Sequence, residues 1–356
     1  MKLFVTGICG FVGSSLASWF REHRPSFKIS GIDNFVRPGS EMNRSILRSR
    51  GIAVQHGDVR NASDFENLSA VDWVIDTAAN PSVLAGVDSR TSSRQAIEHN
   101  LFGTVNLLEY CKRVDAGLIL LSTSRVYSIP ALAGLPLIKA KHAFEWDNTV
   151  TPVQGASANG LTTEFSTSAP VSLYGSTKLA SEFLALEYKH SFSFPVWINR
   201  CGVIAGAGQF GTAEQGIFSY WINAYAQKHP LKYIGFDGSG RQVRDGLHPN
   251  DLAELIAQQI EYSQAPAVTT FNVGGGSGNT MSLAQLTSWC AERFGKHSVE
   301  SEPTPRLFDV PWLVMDNGRT TAQFNWRPKR DLLSILDEIA NHAQRNPNWL
   351  DLSSAP

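Results

Sequence analysis

Lys2-Leu3-Phe4-Val5-Thr6 is a short apolar run that passes directly into Gly7-Ile8-Cys9-Gly10-Phe11-Val12-Gly13. After it, Val12, Leu16, Trp19 and Phe20 recur at helical spacing. Strand, glycine-rich turn and helix in that order constrain the fold more than any other feature of the chain. The glycines let the backbone approach a pyrophosphate closely, and the free N–H groups at the helix start attract it. A dinucleotide-binding α/β unit is therefore expected at the N-terminus.

The next strand, from Phe27 to Ile32, ends in Asp33, at the distance where a carboxylate accepts hydrogen bonds from an adenosine ribose. An acid there repels a 2′-phosphate, so NAD is expected rather than NADP, with Arg37 the nearby residue that works against this. Val54-Gln55-His56-Gly57-Asp58-Val59 reads as a third strand. Asp58 either meets the adenine amino group or is a strand-end turn residue.

Further strand-like runs at Val71–Thr77, Gly117–Ser122 and Val196–Asn199 alternate with helical segments such as Thr104 to Val114, where Val105, Leu108 and Cys111 share a face. Such alternation predicts a doubly wound, Rossmann-type parallel sheet of the α/β class, with active groups at the carboxyl ends of its strands. Thr77-Ala78-Ala79-Asn80 and Ser122-Thr123-Ser124 fall at such ends. Ile129 to Pro170, rich in proline, glycine, serine and threonine, is expected to be a long functional loop. From about Gly202 the pattern becomes glycine-broken and aromatic, whereas Phe271-Asn272-Val273-Gly274 returns to the sheet. The expected division is a dinucleotide-binding domain of residues 1–201 and about 245–276, and a smaller, discontinuous substrate domain of about 202–244 and 277–356.

The chain has 356 residues and a formal net charge of −1, with no cluster of lysine and arginine, which argues against a nucleic-acid partner. Cys9, Cys111, Cys201 and Cys290 lack disulfide or metal-ligand spacing, so no metal is expected and a reducing, cytoplasmic location is. There is no basic leader and no apolar stretch long enough to cross a bilayer, so no membrane association is expected.

Tyr174-Gly175-Ser176-Thr177-Lys178 places a tyrosine and a lysine four apart. On a helix these share a face, and an ammonium one turn from a phenol favours the phenolate and makes the tyrosine a base. The spacing alone also fits a solvated helix face; the N-terminal glycines give it chemical meaning.

Together with Asp33, Asp58, Ala78-Ala79, the Asn100-to-Glu109 segment, Ser122-Thr123-Ser124, Gly240-to-His248 and Arg306-to-Asp309, these motifs make the chain resemble an extended short-chain dehydrogenase/reductase of the nucleotide-sugar epimerase and dehydratase type. Gln209-to-Gly216, the Arg241-to-His248 segment and Gly160-to-Phe165 are similar to the CDP-paratose (CDP-tyvelose) 2-epimerase branch. The chain departs from the usual sugar-epimerase pattern at Ala205-Gly206, where Tyr-Gly is common, and at Ser128, where glycine is.

The resemblance implies tightly bound NAD, resting as NAD+, held by Gly7, Gly10, Phe11, Val12, Gly13, Asp33, Asn34, Asp58, Val59, Ala78, Ala79, Asn100, Tyr174 and Lys178. It implies Tyr174, Lys178 and Thr123 as catalytic residues, with Ser122 and Ser124 as secondary candidates. Substrate contacts are implied for Asn80, Arg200, Gln209, Arg244 and Arg306, with a CDP-sugar favoured, and so is a homodimer through the helices beginning near Thr104 and Tyr174. For Arg244 and Arg306 the competing reading is a surface arginine paired with Asp245 or Asp309, for Asn100 a helix cap. His248 and Cys201 are expected to be structural. A UDP-sugar 4-epimerase remains open. A 4,6-dehydratase fits less well, because Thr123 is followed by Ser124 and Arg125 rather than by an acidic pair. A non-catalytic NAD-binding sensor or scaffold is the alternative of another kind.

Overall fold

A computed structural model describes residues 1–87, 92–151, 153–263 and 268–354. In chain order its elements begin β1 (Lys2–Thr6), α1 (Phe11–His23), β2 (Lys28–Asp33), α2 (Glu41–Ser49), β3 (Ala53–His56), α3 (Ser63–Glu66), β4 (Trp73–Asp76), α4 (Ser93–Ile97), α5 (Gly103–Val114) and β5 (Gly117–Thr123). They continue through α6 (Ile129–Ala133), β6 (Leu137–Lys139), β7 (Phe144–Trp146), β8 (Ala156–Ser157), β9 (Gly160–Leu161), α7 (Ser172–Phe192), β10 (Val196–Cys201), β11 (Val203–Ile204) and α8 (Ile217–Ala226). The rest are β12 (Leu231–Ile234), β13 (Val243–Leu247), α9 (Pro249–Glu261), β14 (Thr270–Val273), β15 (Thr280–Ser282), α10 (Leu283–Phe294), β16 (Val299–Glu302), β17 (Trp312–Leu313), α11 (Gly318–Phe324), α12 (Leu332–Arg345) and α13 (Trp349–Ser354). None of the described helices is long and apolar enough to cross a membrane.

The chain forms two compact units, one of Met1–Val126, Leu173–Arg200 and Leu252–Phe271, the other of Tyr127–Ser172, Cys201–Asp251 and Asn272–Pro356. The expected doubly wound sheet is present, seven strands in the order β14-β10-β5-β4-β1-β2-β3. β1 pairs in parallel with β2 and with β4, so that Thr6 stands between Ile32 and Asp76. Strand order reverses at β1, and the switch point between β1 and β4 leaves a crevice at their carboxyl ends. β5 is buried along its whole length, as its Gly-Leu-Ile-Leu-Leu-Ser-Thr composition requires of an inner strand covered on both faces. Phe4, Val74, Leu118, Leu120, Val196 and Ile198 of the sheet pack against Leu107, Leu108 and Cys111 of α5. β3 ends at His56, so Asp58 lies beyond the strand rather than in it.

Residues 127–172 correct the expected division, because they cluster with the second unit and not with the sheet. They are also not one long loop: they hold α6 and the antiparallel pairs β6–β7 and β8–β9. The cause is hydrogen bonding to distant segments of the same unit. Leu161 donates its N–H to the Val314 carbonyl at 2.8 Å and accepts from Asp316 N–H at 2.9 Å, and Phe144 N–H donates to the Arg241 carbonyl at 3.0 Å. Nor is this unit the smaller part, since it takes slightly more of the chain than the first.

Within the second unit, α8, α10 and α12 share a core of Phe218, Trp221, Ile222, Leu286, Leu336 and Ile339. β13 pairs with β11, β15 and β17 and carries the fully buried Asp245. Its Oδ2 accepts from Gly276 N–H at 3.1 Å and Met315 N–H at 3.2 Å, while Oδ1 has no partner among the described residues. Gly202 and Gly274 are needed beside it, since added Cβ atoms would lie 2.7 Å from Oδ1 and 2.2 Å from Oδ2. Burial pushes the Asp245 carboxyl up to about 6 against the backbone hydrogen bonds that lower it. An acid whose folded-state value is raised keeps its proton in the fold while the unfolded chain has lost it, so stability falls as pH rises from about 4 through 6. Asp245→Asn is therefore expected to gain on the wild type by on the order of 2 kcal/mol between pH 4.5 and pH 7, as read by urea denaturation at both pH values.

Candidate active site

All the residues expected to carry chemistry on the sugar, and all those expected to hold the cofactor, lie in the first unit. At the end of β1 the chain turns at Gly7, whose φ of +58° suits glycine. α1 begins so close to this turn that a Cβ on Gly13 would stand 2.3 Å from the Gly7 carbonyl oxygen and 2.8 Å from Ile8 Cα. The turn is held from behind. Asp33 Oδ2 accepts from Cys9 N–H at 2.8 Å, and Asn43 of α2 donates to the Cys9 carbonyl at 2.9 Å. Burial pushes the Asp33 carboxyl above its ordinary value, against hydrogen bonds from the N–H groups of Phe35, Cys9 and Gly10.

Asp58 uses both oxygens within the protein. Oδ1 accepts from Arg60 N–H and Nε, each at 2.9 Å, and Oδ2 accepts from Arg60 Nη2 at 2.6 Å and Asn34 Nδ2 at 3.0 Å. Burial acts to raise this carboxyl, but the Arg60 and Asn34 hydrogen bonds outweigh it and hold the group well below the usual carboxylate range. The turn at the end of β3 is thus built on Asp58. Arg60, which carries that turn, gave no spacing signal because a turn has no repeating side-chain period.

At the switch point, Thr6 donates its hydroxyl hydrogen to Asp76 Oδ1 at 2.7 Å and accepts from the N–H groups of Thr77 and Ala78, each at 3.2 Å. Asn100 is buried inside a π-helical stretch, Glu98–Phe102, that runs into α5. It is not a helix cap; that role belongs to Ser92, which accepts from Gln95 N–H at 3.0 Å. The Asn100 side chain instead clasps the Asn80 main chain, accepting from its N–H at 2.8 Å and donating to its carbonyl at 3.1 Å. The Asn100 carbonyl in this π turn accepts from Thr104 Oγ1 at 2.9 Å and from Ser181 Oγ at 3.2 Å, which docks α7 on α5.

α7 carries Tyr174 and Lys178, one turn apart and both buried. Thr123 closes β5, also buried, and its Oγ1 accepts from Arg125 N–H at 3.1 Å. Ser122 Oγ donates to Glu182 Oε1. Glu182 in turn receives Arg200: Nε stands 3.1 Å from each carboxylate oxygen and Nη2 2.7 Å from Oε2. Ser124 opens the short turn after β5 and is buried too. Glu182 was not singled out from the sequence, although it stands four residues beyond Lys178 and so continues the Tyr174–Lys178 face.

In the second unit Arg244 is largely buried, donating to the Val243 carbonyl at 2.8 Å and to Asp309 Oδ1 at 3.2 Å. It pairs with Asp309, yet not at the surface. Burial pushes its guanidinium below the ordinary arginine range, and the neighbouring charge of Arg306 adds to that. Arg306 donates from both terminal nitrogens to the Ala213 carbonyl, each at 3.2 Å. Gln209 turns inward, donating Nε2 to the Ile204 carbonyl at 2.8 Å and leaving Oε1 buried without a partner among the described residues. His248 accepts from Asn250 N–H at 3.1 Å and meets Glu338 at 3.0 Å, a structural arrangement.

The cradle of Gly7 and Gly13 at a helix start, backed by Asp33 at the end of β2, fits a dinucleotide pyrophosphate and ribose. Fold and site define a nicotinamide-dependent α/β enzyme with a Tyr-x-x-x-Lys helix. Comparison with known proteins narrows the class: residues 3–274 match the NAD dependent epimerase/dehydratase family, and the chain belongs to it. It is 28% identical to the CDP-paratose 2-epimerase of Salmonella typhi, over 92% of this chain and 95% of that protein. It is 26% identical to the UDP-glucose 4-epimerase of Corynebacterium glutamicum, over 95% of this chain and 94% of the other. The fold is shared with UDP-glucuronic acid 4-epimerase from Bacillus cereus, solved with UDP-glucuronic acid and NAD, at a TM-score of 0.75 and 22% identity over 97% and 99% of the two chains. NAD is therefore the cofactor, and nucleotide sugars are the substrate class on which the relatives act.

Gly13→Ala is expected to lower stability by about 1–3 kcal/mol through overpacking against the Gly7 carbonyl and to release NAD. Melting temperature and the cofactor content of the purified variant check both.

Proposed function

We propose that the protein is a nucleotide-sugar epimerase that inverts one ring carbon through a transient keto-sugar, with a CDP-sugar of the paratose/tyvelose type as substrate and C2 as the carbon inverted. The carrying observation is the set of buried groups on two adjoining elements: Tyr174 and Lys178 on α7, and Thr123 at the end of β5. When bound, NAD supplies the hydride acceptor and donor, held by the Gly7–Gly13 turn and Asp33.

Tyr174 takes the proton of the sugar hydroxyl and returns it after the sugar has presented its other face. Lys178, one turn along the same helix face, favours the phenolate that makes this possible. Thr123 steadies the reacting oxygen. Its Oγ1 already accepts from Arg125 N–H, which leaves the hydroxyl hydrogen to be donated. Ser122 gives its hydrogen to Glu182 instead, which favours Thr123 over its neighbour. No acidic pair follows Thr123, which favours epimerisation over dehydration.

In the second unit, two neighbouring guanidiniums, Arg244 and Arg306, of which Arg244 is countered by Asp309, favour an anionic group. The CDP-paratose 2-epimerase relative and the Gln209-to-Gly216 segment support the narrower substrate. The UDP-glucose 4-epimerase relative supports the second reading, a UDP-sugar 4-epimerase using the same groups. Phe102 and Phe183, 53% and 62% exposed on the helices expected to pair, support a homodimer.

Incubation with CDP-paratose or CDP-tyvelose, without added cofactor, is expected to interconvert the C2 epimers as followed by NMR. Tyr174→Phe is expected to cut that rate about 10²–10⁴-fold with NAD retained. Conversion of a UDP-sugar at C4 in place of this would select the second reading. Phe183→Glu is expected to shift the sedimentation coefficient from dimer to monomer; an unchanged monomeric value in both proteins would refute the dimer.

A further inference from the structure

Arg200 of β10 and Glu182 of α7 form a buried ion pair on the helix that bears Tyr174 and Lys178. Glu182 is 3% exposed and Arg200 8%, and three N···O separations of 3.1, 3.1 and 2.7 Å join them. Glu182 lies on α7 in line with Tyr174 and Lys178, four and eight residues along. At the rise of an α-helix, Lys178 is roughly 6 Å and Glu182 roughly 12 Å from Tyr174 along the axis. An unbalanced carboxylate at that position would oppose the field of Lys178 at the phenol, in surroundings where charges are weakly screened.

We propose that Arg200 is a positioning residue for charge, not a substrate anchor: by pairing with Glu182 it cancels a buried negative charge and leaves the field of Lys178 on Tyr174 undiminished. Ser122 completes the pairing by giving its hydroxyl hydrogen to Glu182. The same bonds join the end of β5, where Thr123 stands, to α7 and to β10. The pair thus sets both the charge under the base and the placement of the helix that bears it. Two further titratable groups bear on the surroundings of Lys178: Asp76 at the end of β4, whose carboxyl is raised by burial and lowered by Lys178, and Cys111 of α5, whose thiol is raised by burial and by Asp76. Asp76 takes its hydrogen bonds from Thr6 and Ala78.

The inference rests on Tyr174 being the base, and its test needs no sugar. In NAD-loaded protein, the ionisation of Tyr174 is followed by ultraviolet difference titration, with Tyr174→Phe in each background isolating its signal. Arg200→Met is expected to move that ionisation upward by about one pH unit, and Glu182→Gln to move it downward by about as much. The double variant is expected to return close to the wild-type position, and Arg200→Lys to stay near it. Circular dichroism and bound NAD establish that each variant is folded. Should Arg200→Met not fold, Glu182→Gln and the charge-balanced double variant decide. A folded, NAD-bearing Glu182→Gln with Tyr174 unmoved, or a double variant displaced further than both single ones, overturns the proposal. A wild-type Tyr174 that titrates in the ordinary tyrosine range near about 10 would instead overturn its assignment as base, while the variant shifts would still decide the role of Arg200.

Discussion

The start of α1 rests against the turn after β1 at a distance only glycine permits, and the site follows from that contact. With a Cβ on Gly13 placed 2.3 Å from the Gly7 carbonyl, no other residue keeps the helix axis where it is. A helix begun there aims its free N–H groups at the switch point of the sheet, where a pyrophosphate is attracted. Asp33 and Asn43 bind the same turn from β2 and α2, so three successive elements share one task. Thr6 extends the arrangement to β4 by gathering Asp76, Thr77 and Ala78 around one hydroxyl.

A second set of bonds organises the catalytic helix. α7 is fixed on one side by Ser181, which donates to the Asn100 carbonyl in the π turn, and on the other by Glu182 with Ser122 and Arg200. Buried charge is costly unless paired, and here the pairing ties the ends of two strands, β5 and β10, to the middle of α7. Removing Arg200 or Glu182 would leave an unpaired charge against the helix that bears Tyr174, so structural and electrostatic roles meet in the same atoms.

Much of the first unit is legible in the chain because its signals are local. β1, β2 and β5 are apolar runs, Gly7 to Gly13 is a turn between strand and helix, and Tyr174 and Lys178 lie one helical turn apart. What escaped local reading is long-range in origin. Residues 127–172 have loop-like composition, yet their hairpins are held by Arg241, Val314 and Asp316, between about one and two hundred residues away in sequence. Arg200 is expected to touch the substrate, yet its Nε and Nη2 both donate to Glu182. Asn100 resembles a cap only if a helix is assumed to start there, and Asp58 resembles an open acceptor until Arg60 folds back on it.

The amino-acid sequence by itself determined the alternation of strand and helix, the cofactor turn and the family, because periodicity, glycine geometry and motif spacing act over a few residues. Only the tertiary structure decided which polar groups are already partnered: Ser122 but not Thr123 by Glu182, Arg200 by Glu182, Arg244 by Asp309. That distinction depends on which side chains become buried together, since a charged or hydroxyl group removed from water takes whatever partner the fold brings within hydrogen-bonding distance.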